Sequence, residues 1–355
     1  MPAEHPRLPA EWEPQSGVML TWPHPGTDWA DRLDQVLPVF ARIGAAVSQR
    51  QSLLSVCRSV ELAAMVRSRL LAAGADPDRL LFAIADSDDS WARDHGPLTT
   101  LGPAGPILND FKFNGWGGKF PAGRDDAISA ALAAIGSFAG AAVAPRAMVL
   151  EGGAIETDGA GTLLATRSSV ITATRNAGLD TAAVESRLRE YLGLDRFLWL
   201  DHGDISGDDT DGHIDTLARF ADPETILYAT APAGDPDHAE LAAMAAQLQG
   251  LRTRDGRPYR LLPLPFPGVH RDGDGRRLPA TYANFLLING AVLLPVYGVA
   301  ADAEAVQVVG GAFPGREVIA IDCRPIIEQN GSLHCLTMQF PAALSLHTQP
   351  ETDLP

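Results

Sequence analysis

One cysteine, Cys335, stands in the stretch Gln329-Asn-Gly-Ser-Leu-His-Cys-Leu-Thr-Met-Gln-Phe-Pro341, between a small polar run and an apolar, strand-like one. A thiol at such a junction can face a cleft, with backbone N–H groups and His334 beside it, and those surroundings suit a nucleophile. Two other stretches are dense in groups that bind or move protons. Asp86-Ser-Asp-Asp-Ser-Trp-Ala-Arg-Asp-His-Gly-Pro97 holds four aspartates, and its Trp91 and Gly96-Pro97 pair imply a fixed conformation that aims Asp94. Asp201-His-Gly-Asp-Ile-Ser-Gly-Asp-Asp-Thr-Asp-Gly-His-Ile-Asp-Thr216 is denser still and contains His213-Ile-Asp215. On an extended segment that spacing points both side chains to one face. Several chemistries are open to these groups: covalent catalysis by a thiol among acids, a protease- or amidase-like Cys/His pair, or a metal held by His202, His213 and carboxylates. The metal reading lacks any His-Glu-x-x-His or Cys-x-x-Cys spacing, and the Cys/His hydrolase does not need so many acids near the thiol. A non-enzymatic binding scaffold is the remaining class.

The elements that must position these residues follow from the apolar pattern. Strands are expected over Val18–Thr21, Ser52–Val56, Leu80–Ala85 and Leu98–Thr100, with helices over Leu33–Val47 and Val60–Ala73 between the first three. Alternation of strand and helix from the start implies an α/β fold. Phe111 to Phe120 contains Asn114-Gly-Trp-Gly-Gly, whose glycines allow close backbone approach at a rim. It is no phosphate loop, because no Gly-Lys-Ser/Thr tail follows. A small-residue helix is expected over Asp126–Ala142, a hairpin around Asp158-Gly159, and helices over Leu179–Leu192 and His238–Leu248. Arg252 to Arg277 reads as a basic loop with mobility, and Phe285 to Ala300 as two strands around Asn289-Gly290.

Composition narrows the class. A chain of 355 residues, 46% hydrophobic and 20% charged, can bury a large core as repeated modules or as two domains. The reading adopted is one catalytic domain over residues 1–355, with about 1–10 and 345–355 as loose tails. The net charge of −16 argues against nucleic acid or an anionic membrane and fits attraction of a small cation. Three cysteines (Cys57, Cys323, Cys335) and no visible secretory signal suggest a reducing cytoplasm. A homodimer is compatible with this composition.

When the polar residues preceding strand pairs are aligned, Asp94, Glu151, Asp215, Asn284 and Cys335 recur at intervals of roughly 50 to 70 residues, each interval holding strands and one helix. A ring of such units would deliver one residue apiece to a central axis. Trp91-Ala-Arg-Asp94, Glu151-Gly-Gly, Gly212-His-Ile-Asp215, Tyr282-x-Asn284 and Leu333-His-Cys335, in this order over Glu11 to Pro341, resemble the agmatine deiminase family, relatives of the bacterial peptidylarginine deiminases. The resemblance implies a five-fold pseudo-symmetric α/β propeller of guanidine-modifying type. It also implies conversion of agmatine to N-carbamoylputrescine and ammonia through a thiouronium on the cysteine, without cofactor or metal. Peptidylarginine or another guanidine is the alternative substrate. Thr216, Met338-Gln339 and His95 depart from residues common in the family.

The chemistry accounts for the residue types. A guanidinium is planar and permanently cationic, and two carboxylates can each take a pair of its N–H groups. Asp94 and Asp215 are the candidates, holding the central carbon over Cys335. His213 is suited to give a proton to the leaving ammonia and to take one from water. The resemblance makes Glu151 the partner of the other imidazole nitrogen and puts Asp209 beside the substrate amine. Asp208, Trp91 (against the methylenes) and Asn284 (near substrate or thiol) complete the expected substrate contacts. The thiol, with a reference pKa of ~8.5, is expected to be lowered by His213 as imidazolium or by the bound guanidinium. At ~4 Å and an effective dielectric of ~20 such an attraction is about 4 kcal/mol before desolvation. Arg93 stands apart, a partner for a substrate carboxylate or for neighbouring aspartates.

Overall fold

The computed structural model describes residues 6–348. Among these the strands gather into five sheets and a two-stranded ribbon. Four sheets have three strands each: Leu98–Gly102, Gly105–Lys112 and Ala142–Val149; Glu156–Thr157, Thr162–Thr166 and Arg196–Leu200; Ala218–Asp222, Thr225–Tyr228 and Arg260–Pro263; and Leu286–Ile288, Ala291–Val296 and Glu317–Asp322. The fifth joins the two ends of the chain, pairing Thr337–Pro341 with Gln15–Thr21 and continuing through Ser52–Cys57 to Leu80–Ile84. In all five the first two strands are antiparallel and the next step is parallel. An antiparallel pair can close through a short turn, but a parallel pair needs a crossover. Helices Leu33–Ser48, Ile128–Ala134, Thr181–Leu192, His238–Gly250 and Ala301–Ala312 supply it. The fold is mixed α/β.

Local sequence explains the crossovers. In Leu33–Ser48 the residues Val36, Leu37, Phe40, Ile43 and Val47 follow helical spacing and all are buried, Phe40 against Trp22. Ser59 caps Val60–Ala72 by accepting from Leu62 N, and Asp180 caps Thr181–Leu192 by accepting from Ala183 N. That second helix ends at Gly193, whose φ of 69° is left-handed. The largest apolar cluster runs from Trp22 and Phe40 to Phe285, Leu293 and Leu336, so the segment around Cys335 is anchored in the core.

Three expectations need correction. The helix expected over Asp126–Ala142 ends at Ala134, and Gly136, at φ 83°, breaks it before the strand Ala142–Val149. Alanine and Pro145 hid that strand, which pairs in parallel with Gly105–Lys112. The basic segment Arg252–Arg277 is no free loop: Arg260–Pro263 completes the third sheet and His270–Arg271 pairs with Arg277–Leu278. The described parts of the expected tails are held: Arg7 bridges to Leu101, Leu8 is buried, and His347 N donates to Ser137 O. Residues 1–5 and 349–355 lie outside the described residues.

Candidate active site

Each of the five sheets is entered through a turn that presents a polar side chain. Asp94 lies in the one-turn helix Ala92–His95, four residues before its sheet; Glu151 precedes the 3-10 turn Gly152–Ala154; Asp215 sits in Ile214–Thr216; Asn284 precedes Leu286–Ile288; Cys335 sits in His334–Leu336. The five side chains meet, and all are buried. Cys335 Sγ is 3.2 Å from Asn284 Nδ2 and 3.7 Å from Asp215 Oδ2. Asn284 Oδ1 also accepts from His334 N at 2.9 Å, so this amide braces the thiol loop and lies against sulfur instead of lining the cleft. Gly153 shows why the Glu151-Gly-Gly motif is needed here. A Cβ on Gly153 would lie 2.7 Å from His213 Nδ1, 2.9 Å from Asp94 Oδ1 and 3.1 Å from Asp215 Oδ2.

His213 stands among three acids. Its Nδ1 is 3.7 Å from Asp94 Oδ1 and its Nε2 3.8 Å from Glu151 Oε2, longer than hydrogen bonds, and neither nitrogen has a hydrogen-bond partner. Burial opposes its charge, but Asp94, Glu151 and Asp215 outweigh it and push the imidazole up to about 9. Glu151 is fully occupied: both its oxygens accept from Arg175 Nε at 2.9 Å. The two carboxylates nearest the thiol differ. Asp94 accepts from Gly153 N and Trp116 Nε1, each at 2.9 Å, and burial raises its pKa. On Asp215 burial is outweighed by the contact with His334 together with the charges of His213 and Arg219, so its pKa is lowered, and its Oδ1 has no partner.

The thiol departs from expectation. Burial, then the charges of Asp215 and Asp94, raise Cys335 well above the ordinary thiol range. Asp215 lies 3.7 Å from sulfur and Asp94 adds its charge, whereas His213 lies among the acids, so the negative field prevails at the thiol.

Cys335 lies on a cleft that opens to solvent. Asp94, Trp91 and Asp209 line it as expected, joined by Asp28 and Asp89, and no Lys or Arg lines it. Gly331 packs on the Trp91 ring, where a Cβ would come within 2.1 Å. Asp209 Oδ2 accepts from Asn330 Nδ2 at 2.7 Å, and burial raises its pKa. Burial and Asp28 push Asp89 up to about 7. Lys119, the nearby base, is engaged by Asp209 O and Asp211 Oδ1. Asp208 does not reach the cleft: its oxygens close its own turn through Thr210 Oγ1 and Gly212 N. Arg93 points away too, with Nη1 3.7 Å from Met338 Sδ and Nη2 3.9 Å from Glu11 Oε2. His202 turns to the exposed Glu240 instead of joining His213.

Sequence reading missed Trp116, Arg175 and Glu11. Trp116 holds a left-handed backbone (φ 54°, ψ 50°), unusual for an aromatic, braced between Phe113 and Phe120 while it donates to Asp94. The glycines flanking it were the available signal. Nothing local marks Arg175 or Glu11. Of the departures from the agmatine deiminase pattern, His95 is buried against Thr21 and Phe113 and pushed down to about 3 by that burial. Thr216 Oγ1 donates to His213 O, and Met338 lies under Arg93. None of these lines the cleft.

The family model for Porphyromonas-type peptidyl-arginine deiminases matches residues 7–341, nearly the whole described chain. The chain belongs to that family. Within it, an agmatine deiminase of Stutzerimonas stutzeri is 33% identical, covering 94% of this chain and 95% of the relative. Among solved structures, a Porphyromonas gingivalis protein described as a "Putative Arginine Deiminase" is 49% identical with a TM-score of 0.88, covering 96% of this chain and 99% of that one. A substrate-bound agmatine deiminase of C. jejuni is 31% identical with a TM-score of 0.88, covering 96% and 97%. The ordered turn residues that suggested a deiminase are thus set in a deiminase-family fold from end to end. Among the described residues no helix is long and apolar enough to cross a membrane.

Proposed function

We propose that this protein is an agmatine deiminase, a single catalytic domain that hydrolyses the guanidinium of agmatine to N-carbamoylputrescine and ammonia. The observation that carries the reading is a buried thiol on a cleft lined by four aspartates and no cation. Agmatine is a dication, with a guanidinium at one end and an ammonium at the other. Free arginine would bring a carboxylate into the same acidic cleft, and the one arginine whose position left that open, Arg93, faces away. The five sheets, sharing one strand-pairing scheme, are best understood as five turns of an α/β propeller about the axis where the polar turns meet.

The reaction follows from the electrostatics. A guanidinium bound between Asp94 and Asp215 cancels the negative field that keeps Cys335 protonated, so the thiol ionises on binding and its proton passes to solvent, His213 being already protonated. Sulfur attacks the central carbon, and His213, protonated at neutral pH, gives its proton to the departing nitrogen. Ammonia leaves a thiouronium on Cys335. Water then adds to that carbon with His213 taking its proton, the C–S bond breaks, and the ureido product and thiol are released. Asp209, with Asp28 and Asp89, receives the ammonium tail, and Trp91 covers the methylenes.

The test is ammonia release from agmatine, free L-arginine and a peptidylarginine, after treatment with a chelator and separately with iodoacetamide. Agmatine should be turned over fastest, with activity kept after the chelator and lost after alkylation. Faster turnover of either arginine compound, or loss to the chelator alone, overturns the reading.

A further inference from the structure

The charged groups behind the thiol play no part in the steps above, yet one chain of them ends on a side chain that does. Glu11, on the segment leading into Gln15–Thr21, is buried, as are Arg219, His334 and Asp215. Its Oε1 accepts from Leu287 N at 2.7 Å, and its Oε2 accepts from Arg219 Nη2 and meets His334 Nε2, both at 2.8 Å. The other ring nitrogen of His334 meets Asp215 Oδ2, again at 2.8 Å. Asp215 Oδ1 remains buried and unpartnered, on the side chain whose other oxygen faces sulfur.

We propose that Glu11 is a positioning residue for the guanidinium clamp: by holding the outer nitrogen of His334 it fixes the ring so that the inner nitrogen meets Asp215 Oδ2, which leaves Oδ1 free for the substrate. The inference rests on the deiminase reading and extends it to Glu11, which none of the quoted motifs includes. The contrast within the clamp supports it. Asp94 is oriented by neutral donors and burial raises it, whereas on Asp215 the contact with His334, together with the charges of His213 and Arg219, overrides burial. The charges facing Asp215 are His334, His213, Arg219 and Asp94, with the Cys335 thiol beside it. Those facing Glu11 and His334 are Arg219, Asp215, Arg93 at 3.9 Å, and Glu156, which holds Arg219 Nε at 2.8 Å. Glu156 is as buried as Glu11 and shares its arginine, but makes no hydrogen bond to His334. It is therefore the matched control for a merely structural role.

The experiment compares Glu11→Gln, His334→Gln and Glu156→Gln in the full chain, measuring kcat/KM for agmatine against pH per alkylatable Cys335. Misplacing a reacting-centre group costs on the order of 100-fold, and that loss is expected at neutral pH for the first two variants. Their acid limb should also rise, because Asp215, without the contact that lowers it, comes to titrate above Asp94, which burial already raises. Glu156→Gln should keep the original limb. A Glu11→Gln enzyme with the unsubstituted profile, or an equal displacement in Glu156→Gln, overturns the proposal. If Glu11→Gln does not fold, His334→Gln decides, and an unmoved limb in it is equally fatal. If the unsubstituted protein releases ammonia from none of the three guanidines, the deiminase reading has failed instead. The positioning proposal is then decided by calorimetric agmatine binding across the same pH range, where an unchanged profile in Glu11→Gln overturns it.

Discussion

The cleft in front of Cys335 and the charged layer behind it use the same acids in opposite ways. In front, Asp28, Asp89, Asp94 and Asp209 line open space with no arginine among them. Behind, Glu11 and Glu156 each hold Arg219 at 2.8 Å, and Glu151 holds Arg175 at 2.9 Å with both oxygens. The front acids have no arginine partner and face the place a cationic substrate would fill. Those already paired form the support. Asp215 stands between the two, its Oδ2 on His334 and 3.7 Å from the Cys335 sulfur, its Oδ1 unpartnered.

The sharpest way to break this comparison is to remove the nucleophile. Cys335→Ser, nearly isosteric but poorly ionised, should lower turnover by at least roughly 1000-fold with the fold intact by circular dichroism. The buried Cys57 and Cys323, raised by burial and not part of the cleft lining, provide the contrast. Replacing both with Ala should reduce the melting temperature but keep the rate per folded molecule. A loss matching that of Cys335→Ser would mean the wrong thiol has been assigned.

The next test sets a front acid against a rear one. Asp94→Asn should cost on the order of 100- to 1000-fold in kcat/KM, since it removes charge stabilisation at the reacting centre. Glu156→Gln should leave the rate per folded molecule near its original value while costing about 3 kcal/mol of unfolding free energy, the penalty for breaking a buried pair. Equal kinetic losses would erase the distinction between the two regions.

Acidity refines it further. His213 is pushed up to about 9, so the imidazolium required as general acid is present below that pH and lost above it. The kcat/KM profile should therefore fall on the alkaline side of about 9, by about tenfold per pH unit. A profile still level at about pH 10.5 would remove His213 from the acid role.

The smallest effect concerns the substrate tail. Asp209→Asn should raise KM for agmatine by about fivefold and leave KM for a simple alkylguanidine nearly unchanged, because an ion pair at the mouth of the cleft contributes only about 1 kcal/mol. Equal changes for both compounds would mean that Asp209 does not meet the amine.

Much of the frame can be read locally. The period of Leu33–Ser48, the caps at Ser59 and Asp180, and the turns before each strand pair are short-range patterns, and the five turn residues could be aligned from them. The strands Ala142–Val149 and Arg260–Pro263 could not. Their residues are alanine-, proline- or arginine-rich and become strands only because a neighbour in the sheet offers its edge. Trp116 is similar: flanking glycines marked a rim, but only the packed rings of Phe113 and Phe120 turn its indole towards Asp94.

Alone, the sequence determined the chemistry available: one thiol at a loop-to-strand junction, a histidine and carboxylates at the entries to successive strand pairs, and an acidic balance suited to a cation. Tertiary structure decided which of those groups are free to act. Asp208 and Asp209 are adjacent and identical in type, yet one closes a turn and the other faces the cleft. Arg93 adjoins Asp94 in the chain but points to the opposite side. The thiol expected to be acidic is held protonated by burial and two carboxylates. The physical reason is range. Helix and strand periods and caps are set within a few residues, whereas the field at a buried atom is set by groups that folding alone brings together, as Glu11 and His334 meet across 323 residues.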